Sequence, residues 1–402
     1  MNIFKAIYCR TFQFCLKVAL PFLPYRNPKV LNKIEDIPLN LKENSIPLIV
    51  TDKSIYSLGL LNSLEKSLSE ANIKYYIFAD CKPNPTIGNA NDALDMYKKN
   101  NCSAIIAVGG GSSIDCAKAV GAMIAKPKKS LQKLRGILKI RKRIPDLFAI
   151  PTTAGTGSET TLACVIVDEN TKYKYAINDF PLIPRYAVLD EEMTMTLPPH
   201  LVSTTGMDAL THAIEAFIGK GGNKSTRRDS LEAIKLIFDN LENSYFNKDR
   251  ESRKNMLIAS FKAGRAFSKA YVGYVHALAH QLGGYYNTPH GLANSIILPI
   301  VLKEYGKKIH KKLYKIALYC GLANKEASYS DAANLIINKI IEMNNKFNIH
   351  NHVELNKDDI YPMARKANVE ANPLYPVPVL WDTKKLIEMY YKVGGLDEWK
   401  NK

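Results

Sequence analysis

The sequence predicts an α/β N-terminal domain with a parallel sheet, followed by an all-α C-terminal domain. Between residues 46 and 197, short apolar runs alternate with helical stretches, which is typical of a parallel sheet covered by helices. After Leu197 helical periodicity dominates and no convincing strand follows. A chain of 402 residues is also long enough for two domains. We therefore expect an N-terminal extension over 1–45, an α/β domain over 46–197 and an all-helical domain over 198–402.

Four apolar runs are predicted as strands of the N-terminal sheet: 47–51, 75–78, 104–108 and 147–150. Helices are expected between them, over 56–71 and 90–99. In the second half of the chain, residues 206–217 and 231–241 have the periodicity of helices. Ligands of parallel sheets bind at the carboxyl ends of the strands, so these ends are where a binding site is expected.

The chain is strongly basic, with 55 Lys or Arg against 38 Asp or Glu and a formal net charge of +17. Such an excess is compatible with binding to nucleic acid or to an anionic membrane surface. The densest patch, residues 126–143, holds nine Lys or Arg but no aromatic residue on which bases could stack. We interpret it as a solvated basic face, with attraction of an anionic cofactor as the alternative, and expect no nucleic-acid partner.

Cysteine content and hydropathy indicate the cellular location that we expect for the protein. The seven cysteines are odd in number and contain no Cys-x-x-Cys pair, so neither a disulfide framework nor a thiolate zinc site is indicated. No run reaches the roughly 20 apolar residues of a membrane span. We expect a cytoplasmic protein without a transmembrane segment.

The first 26 residues combine apolar and basic side chains. A signal peptide would need a longer apolar centre and a small-residue cleavage site, and neither is clear. Our first interpretation is an amphipathic helix packed on the body of the protein. The alternative is a peripheral membrane contact.

Two loops predict a phosphate site. The strand ending at Val108 runs into Gly109, Gly110, Gly111 and Ser112, and a helix follows. Glycines allow close backbone approach, and a helix N-terminus attracts anions. By itself such a loop is equally well explained as a tight turn. The strand ending at Ile150 runs into a second loop, 151–159, whose several hydroxyls and glycines suit phosphate and ribose oxygens.

Asp52 follows another predicted strand. A carboxylate there could accept hydrogen bonds from a ribose diol and would repel a 2′-phosphate. The residue could equally be an ordinary helix cap, because Asp is favoured at that position.

Histidines and one carboxylate are spaced for a metal site. Asp208 and His212 are four residues apart on a predicted apolar helix, and so are His276 and His280; His290 follows ten residues later. A buried carboxylate is costly unless it is paired or bound to metal. Nitrogen and oxygen ligands without thiolate suit Fe²⁺, Zn²⁺ or Mn²⁺. Spacing does not choose among the last three histidines.

Taken together, these motifs resemble the iron-containing (group III) alcohol dehydrogenase family. The matching pieces are Gly109–Gly110–Gly111–Ser112, the loop 151–159, the helix 206–217, and His276, His280 and His290 with Gly291. Their order and spacing both agree, and the resemblance covers roughly residues 46–392. It implies an α/β dinucleotide-binding domain and an all-α metal-binding domain.

The resemblance also implies the cofactors and the residues that hold them. The metal, Fe²⁺ or as an alternative Zn²⁺, is assigned to Asp208, His212, His276 and His290. The dinucleotide is NAD rather than NADP, and His280 is the proton-relay catalytic residue beside the nicotinamide. The implied cofactor contacts are Asp52, Asn84, Gly109, Gly110, Gly111, Ser112, Thr152, Thr153, Thr156, Thr161, Lys174, Met193 and His280.

Butanol, propanediol and lactaldehyde reductases belong to this family. The resemblance therefore implies an alcohol dehydrogenase or aldehyde reductase for small primary alcohols or diols, and a homodimer or higher homo-oligomer. The alternatives are a polyol or maleylacetate-type reductase and a lyase of the same architecture that is similar to dehydroquinate synthase.

Overall fold

The computed structural model describes residues 1–171 and 173–396, and they form two compact units. The sheet unit comprises residues 24–197, and the helical unit comprises residues 1–23 together with the chain from Pro198 onward. The predicted extension 1–45 is thus divided between the two units. That 46–197 and 198–402 are separate functional domains stays a prediction, and residues 397–402 lie outside the described residues.

The sheet unit contains a parallel sheet of six strands: β1 Lys29–Leu31, β2 Pro47–Val50, β3 Tyr76–Phe78, β4 Ala104–Gly109, β6 Asp146–Pro151 and β9 Tyr186–Val188. Their spatial order is β1-β9-β6-β4-β2-β3. The predicted α/β class is confirmed, and all four predicted strands are present within a residue or two of their expected bounds. Strand β1, from the predicted extension, adds an edge strand by pairing with β9.

Helices cover both faces of this sheet. Successive strand residues point to opposite sides and are therefore buried in two different apolar clusters. Leu48 and Val50 belong to one buried apolar cluster, while Ile49 belongs to another. The helices of the unit are α2 Lys53–Ser57, α3 Asn62–Glu70, α4 Ile87–Lys99, α5 Gly111–Ala125 and α6 Leu131–Leu134. The single helix predicted over 56–71 is two helices, because Gly59 at φ 70° interrupts it.

A second, three-stranded sheet was not predicted. It consists of β5 Gly136–Ile137, β7 Ala163–Asp168 and β8 Tyr173–Asn178, with β7 and β8 antiparallel. Short 3₁₀ turns complete the connections: Leu20–Phe22, Ile34–Asp36, Pro38–Asn40, Ser158–Thr160, Phe180–Leu182 and Glu191–Thr194.

The described part of the helical unit contains no strand, as predicted. Its helices are α1 Ile3–Ala19, α7 Pro199–Ile218, α8 Lys224–Phe246, α9 Arg250–Ala270, α10 Tyr274–Tyr286, α11 His290–Tyr305, α12 Lys307–Tyr319, α13 Tyr329–Lys346, α14 Lys357–Ala371 and α15 Thr383–Val393. Helix α7 is the central element, since every residue from Gly206 to Ile218 is buried and it packs against α8, α9 and α11.

Among the described residues, no helix is long and apolar enough to cross a membrane.

Candidate functional site

The strand order of the six-stranded sheet reverses between β2 and β4. The chain leaves β2 for β3 on one side and returns to β4 on the other. In parallel α/β sheets, ligands bind outside the carboxyl ends of the strands at such a switch point. Asp52 is the second residue after β2 and Gly110 is the first after β4, so both lie at this point.

The first glycine loop has the backbone of an anion site. Gly109 has φ 150°, and a Cβ there would lie 2.7 Å from Cβ of Ser113, so only glycine fits. Gly110 is the N-cap residue of α5 and brings no capping side chain. The N-terminal amides of this 15-residue helix are therefore presented behind the loop, where an anion would be stabilised.

The second predicted loop, residues 151–159, is called the threonine loop. It lies against the glycine loop, residues 109–111. β4 and β6 are neighbours in register, and Thr152 N donates to Gly109 O at 3.1 Å. A Cβ on Gly110 would lie 3.6 Å from Thr153 Oγ1, and one on Gly111 would lie 3.4 Å from Thr156 Oγ1. The structure thus brings these predicted glycines and threonines together.

A buried lysine that was not predicted from the sequence, Lys118, holds the end of the threonine loop. Nζ of Lys118 donates to three carbonyl oxygens, those of Ser158, Thr161 and Ala163, at 2.7–2.9 Å. Asp115 accepts hydrogen bonds from Ser158 Oγ at 2.9 Å and from Val165 N at 3.0 Å. Burial lowers the pKa of Lys118, and the charge of Asp115 opposes that shift. The available signal was a pair of opposite charges, three residues apart, inside an otherwise apolar helix.

The other predicted cofactor contacts have varied surroundings. Asp52 does cap α2, because its Oδ1 accepts from Ile55 N at 3.0 Å.

Three other predicted cofactor contacts form one hydrogen-bonded group: Asn84, Ser112 and Lys174. Within that group, Asn84 N donates to Ser112 Oγ at 3.2 Å and Lys174 Nζ donates to Asn84 Oδ1 at 2.7 Å.

Two further predicted contacts, Thr161 and Met193, are buried. Thr161 accepts a hydrogen bond from Lys118 through its hydroxyl, and Met193 belongs to a hydrophobic core cluster of the sheet unit. A cofactor contact by either of them stays a prediction.

In the helical unit, four predicted metal ligands come together. One ligand atom from each of Asp208, His212, His276 and His290 lies within 4.8 Å of the others. Asp208 and His212 are on α7, His276 is on α10 and His290 begins α11. The His212 ring stacks between Phe267 and the His276 ring, at centroid distances of 4.1 and 4.4 Å.

His276 is oriented by a buried glutamate. Its Nδ1 lies 2.6 Å from Glu215 Oε2, and the same carboxylate accepts from Gly273 N at 2.8 Å and Val275 N at 2.9 Å. Burial is the main cause of the raised pKa of Glu215, about 7, and it also lowers the pKa of His276. Glu215 was not predicted as a site residue, although it lies seven residues after Asp208 and therefore on the same face of α7.

His290 reaches Asp208 because α11 approaches α7 closely. A Cβ on Gly291 would lie 2.8 Å from the backbone carbon of Thr204, so a larger residue would push the helices apart. Nε2 of His290 lies 3.5 Å from Asp208 Oδ1. Asn294, one turn further on and also missed, donates from Nδ2 to the same oxygen at 2.7 Å.

His280, the predicted proton relay, lies at the edge of this cluster. Its ring is 5.2 Å from that of His290, and its Nδ1 is 2.6 Å from Glu370 Oε1. Its side chain is 42% exposed, whereas that of His276 is 2% exposed. The contact with Glu370 was not predicted, because α14 lies far along the chain.

Comparison with known protein families identifies the family to which this chain belongs. The family model described as iron-containing alcohol dehydrogenase matches residues 25–191, and its C-terminal counterpart matches residues 202–393. The chain belongs to the iron-containing alcohol dehydrogenase family. The suspected resemblance is therefore confirmed, and membership implies a bound metal and a nicotinamide-type cofactor.

Individual relatives agree with this membership. The chain is 36% identical to 1,3-propanediol dehydrogenase of Citrobacter freundii over 85% of this chain and 90% of that protein. It is 41% identical to alcohol dehydrogenase 4 of Schizosaccharomyces pombe over 68% of this chain, a match that spans 65% of that protein. A crystal structure of 1,3-propanediol oxidoreductase superposes with a TM-score of 0.88 at 32% identity and covers 92% of this chain and 99% of that one. The chain is an alcohol oxidoreductase.

Proposed function

We propose that this enzyme transfers hydride between NAD and a small primary alcohol or diol, or the corresponding aldehyde, at a metal held by Asp208, His212, His276 and His290. The observation that carries the proposal is the Nε2 atom of His276. It is buried and has no hydrogen-bond partner, yet its ring is held with that atom 3.9 Å from Asp208 Oδ1. A buried, unpaired polar atom is costly, and a cation beside it would remove that cost.

The donor set fits a divalent transition metal. One carboxylate and three imidazoles, without thiolate, suit Fe²⁺, with Zn²⁺ as the alternative. Glu215 supports the fit, because a carboxylate on Nδ1 leaves Nε2 of His276 for coordination. When bound, such a metal supplies Lewis-acid polarisation of the substrate oxygen.

The remaining residues of the cluster orient ligands and carry the proton. Asn294 holds one oxygen of Asp208 and thereby fixes the carboxylate. His280 is half-exposed and paired with Glu370, so it can exchange a proton between the reacting oxygen and solvent. We propose this relay as the catalytic role of His280.

For the cofactor, we propose NAD bound over the glycine and threonine loops. The amides at the N-terminus of α5 would receive the pyrophosphate. Asp52, at the switch point of the sheet, would accept from the ribose hydroxyls and repel a 2′-phosphate, which favours NAD over NADP. Capping of α2 uses only Oδ1 of this carboxylate, so capping and ribose binding are compatible.

The names of the relatives indicate the substrate class. Two of them are named for 1,3-propanediol, and the lactaldehyde reductase of Escherichia coli is 35% identical over 80% of this chain. We therefore propose short aldehydes and diols as substrates. A cytoplasmic homodimer or higher homo-oligomer stays a prediction.

His212→Ala tests the proposal. It removes one of the four ligands, so metal content, measured by elemental analysis, and NADH oxidation with butanal should both be lost. Wild-type protein should consume NADH stoichiometrically with aldehyde, whereas a lyase similar to dehydroquinate synthase would show no net consumption. Full activity in His212→Ala would refute the ligand assignment.

A further inference from the structure

Helix α1 has its apolar face turned away from the helical unit. Its buried residues are Cys9 and Gln13. The apolar stripe lies on the opposite side of the helix, at the spacing of successive helical turns, and is exposed: Ile3, Phe4, Ile7, Tyr8, Phe14 and Val18. Phe4 is 77% exposed and Phe14 is 67% exposed. The amphipathic helix expected from the sequence is therefore present, but it packs on the helical unit through the side that contains Cys9 and Gln13 and not through its apolar stripe.

Specific polar contacts fix this orientation. Gln13 Nε2 donates to Tyr375 O at 2.7 Å, and Arg10 Nη1 donates to Val377 O at 2.8 Å. The N-terminal ammonium pairs with Asp382 at 2.6 Å. These contacts are spread along the helix, and rotating it to bury the stripe would break them.

Positive charge adjoins the stripe. Residues 1–26 and helix α12 contain no Asp or Glu. Burial and the neighbouring positive groups together lower the pKa of Lys312 on α12 to about 8. Those groups define a basic cluster around Lys312: Lys17 of α1, Lys220, Arg227 and Lys315.

We propose that the exposed face of α1 binds the surface of an anionic phospholipid bilayer. The stripe would enter the boundary between headgroups and acyl chains, and the basic cluster would contact anionic headgroups. An apolar helical face bordered by Lys and Arg is the pattern of helices that lie in the membrane interface.

Charge argues against a second copy of the chain as the occupant. Pairing two α1 faces would bring their Lys17 side chains and basic clusters toward each other. An exposed apolar stripe of six residues needs an explanation, and an anionic bilayer matches both the stripe and the positive charge near it.

Vesicle co-sedimentation of the full-length enzyme tests the proposal. Wild-type protein should sediment with vesicles of equimolar phosphatidylcholine and phosphatidylglycerol, but not with phosphatidylcholine alone, and added salt should weaken binding. The triple substitution Phe4→Ser, Ile7→Ser and Phe14→Ser should lower binding to mixed vesicles by about tenfold or more. Lys220→Gln with Lys315→Gln should lower it without removing the stripe.

A matched control replaces three exposed apolar residues elsewhere: Leu39→Ser, Phe246→Ser and Leu335→Ser. It should bind vesicles like wild type, and both triple variants should retain the wild-type melting temperature and alcohol oxidation rate. Failure of wild type to bind mixed vesicles, or equal binding by the two triple variants, would overturn the proposal. It would also be overturned if the stripe variant only reduced the mass measured by light scattering without vesicles, which would make this face an interface between copies.

Discussion

The Nδ1 atom of His276 lies 2.6 Å from a carboxylate oxygen of Glu215, and both side chains are buried. The glutamate is on α7 and the histidine on α10, so this contact ties together two helices that carry the proposed ligands. It also decides which imidazole nitrogen faces Asp208, since the carboxylate occupies Nδ1. The geometry of the proposed metal site therefore depends on a residue that is not itself a proposed ligand.

Glu215→Gln should weaken metal binding without removing a ligand. Glutamine offers one acceptor oxygen where Glu215 uses two, so at least one of Gly273 N, Val275 N and His276 Nδ1 loses its partner. Loss of such supporting contacts typically costs about 10–100-fold in metal affinity or activity. Chelator competition and kcat/KM should show this loss. The surface substitution Glu342→Gln should change neither, and an unchanged metal affinity in Glu215→Gln would contradict the positioning role.

Periodicity was sufficient to predict four strands of the parallel sheet and the central helix. The choice of His276 and His290 over His280 as ligands rests on the family resemblance. Asp208 and His212 share a helix face, and the sequence shows this directly. What it could not show is which distant groups meet that face. Glu215 and His276 are 61 positions apart, and the need for Gly291 arises only from the approach of α11 to α7.

The same limit explains the missed features of the sheet unit. The strands β7 and β8 follow the predicted loop 151–159. Both alternate buried residues with less buried ones, which is the pattern of strands, but they were not predicted. Asp115 and Lys118 are the two charges of an apolar helix, but the role of Lys118 is not visible in the sequence, because the carbonyl oxygens that it binds lie 40–45 positions later.

Gly109→Ala should damage both stability and dinucleotide binding. The backbone has φ 150°, and the new methyl group would collide with the side chain of Ser113. Strain and overpacking of this kind cost about 1–3 kcal/mol. Gly284→Ala is the control, because a Cβ there meets nothing within 4 Å on helix α10 and should raise stability by up to about 1 kcal/mol. Urea unfolding and NADH titration measure the two effects; equal NADH affinity in both variants would count against the phosphate site.

Lys118→Met should destabilise the sheet unit strongly. The ammonium group donates to three carbonyl oxygens of the segment 158–163, and its removal leaves Asp115 buried without the nearby positive charge. Leaving a buried acceptor without its donor costs about 1–3 kcal/mol, so three such carbonyl oxygens correspond to a loss of about 3 kcal/mol or more. Urea unfolding should show a loss of that size, and adding Asp115→Asn should recover part of it. A Lys118→Met protein as stable as wild type would exclude this role.

Asp52→Asn separates the two roles of Asp52. Asparagine is as good a helix cap as aspartate, so the stability contributed by the contact with Ile55 N should be kept. Loss of the negative charge should remove the repulsion of a 2′-phosphate and raise the ratio of kcat/KM for NADPH to that for NADH. Asp52→Ala should instead lose about 1 kcal/mol of stability as well. If Asp52→Asn left the cofactor ratio unchanged, Asp52 would be a cap only.

Glu159, at the end of the threonine loop, should make stability fall with rising pH. Burial raises its pKa from 4.5 to about 7, so the folded protein holds this proton more tightly than the unfolded chain. The contribution of protonated Glu159 to the free energy of unfolding is therefore fully present below pH 4.5. It declines as the pH rises toward 7 and is lost above about pH 7. Glu159→Gln cannot titrate, and its stability relative to wild type should increase by about 2–3 kcal/mol between pH 5 and pH 8. Urea unfolding at the two pH values, with the exposed Glu326→Gln as a control for net charge, measures this difference; a constant difference would mean that Glu159 is ionised in the folded protein throughout.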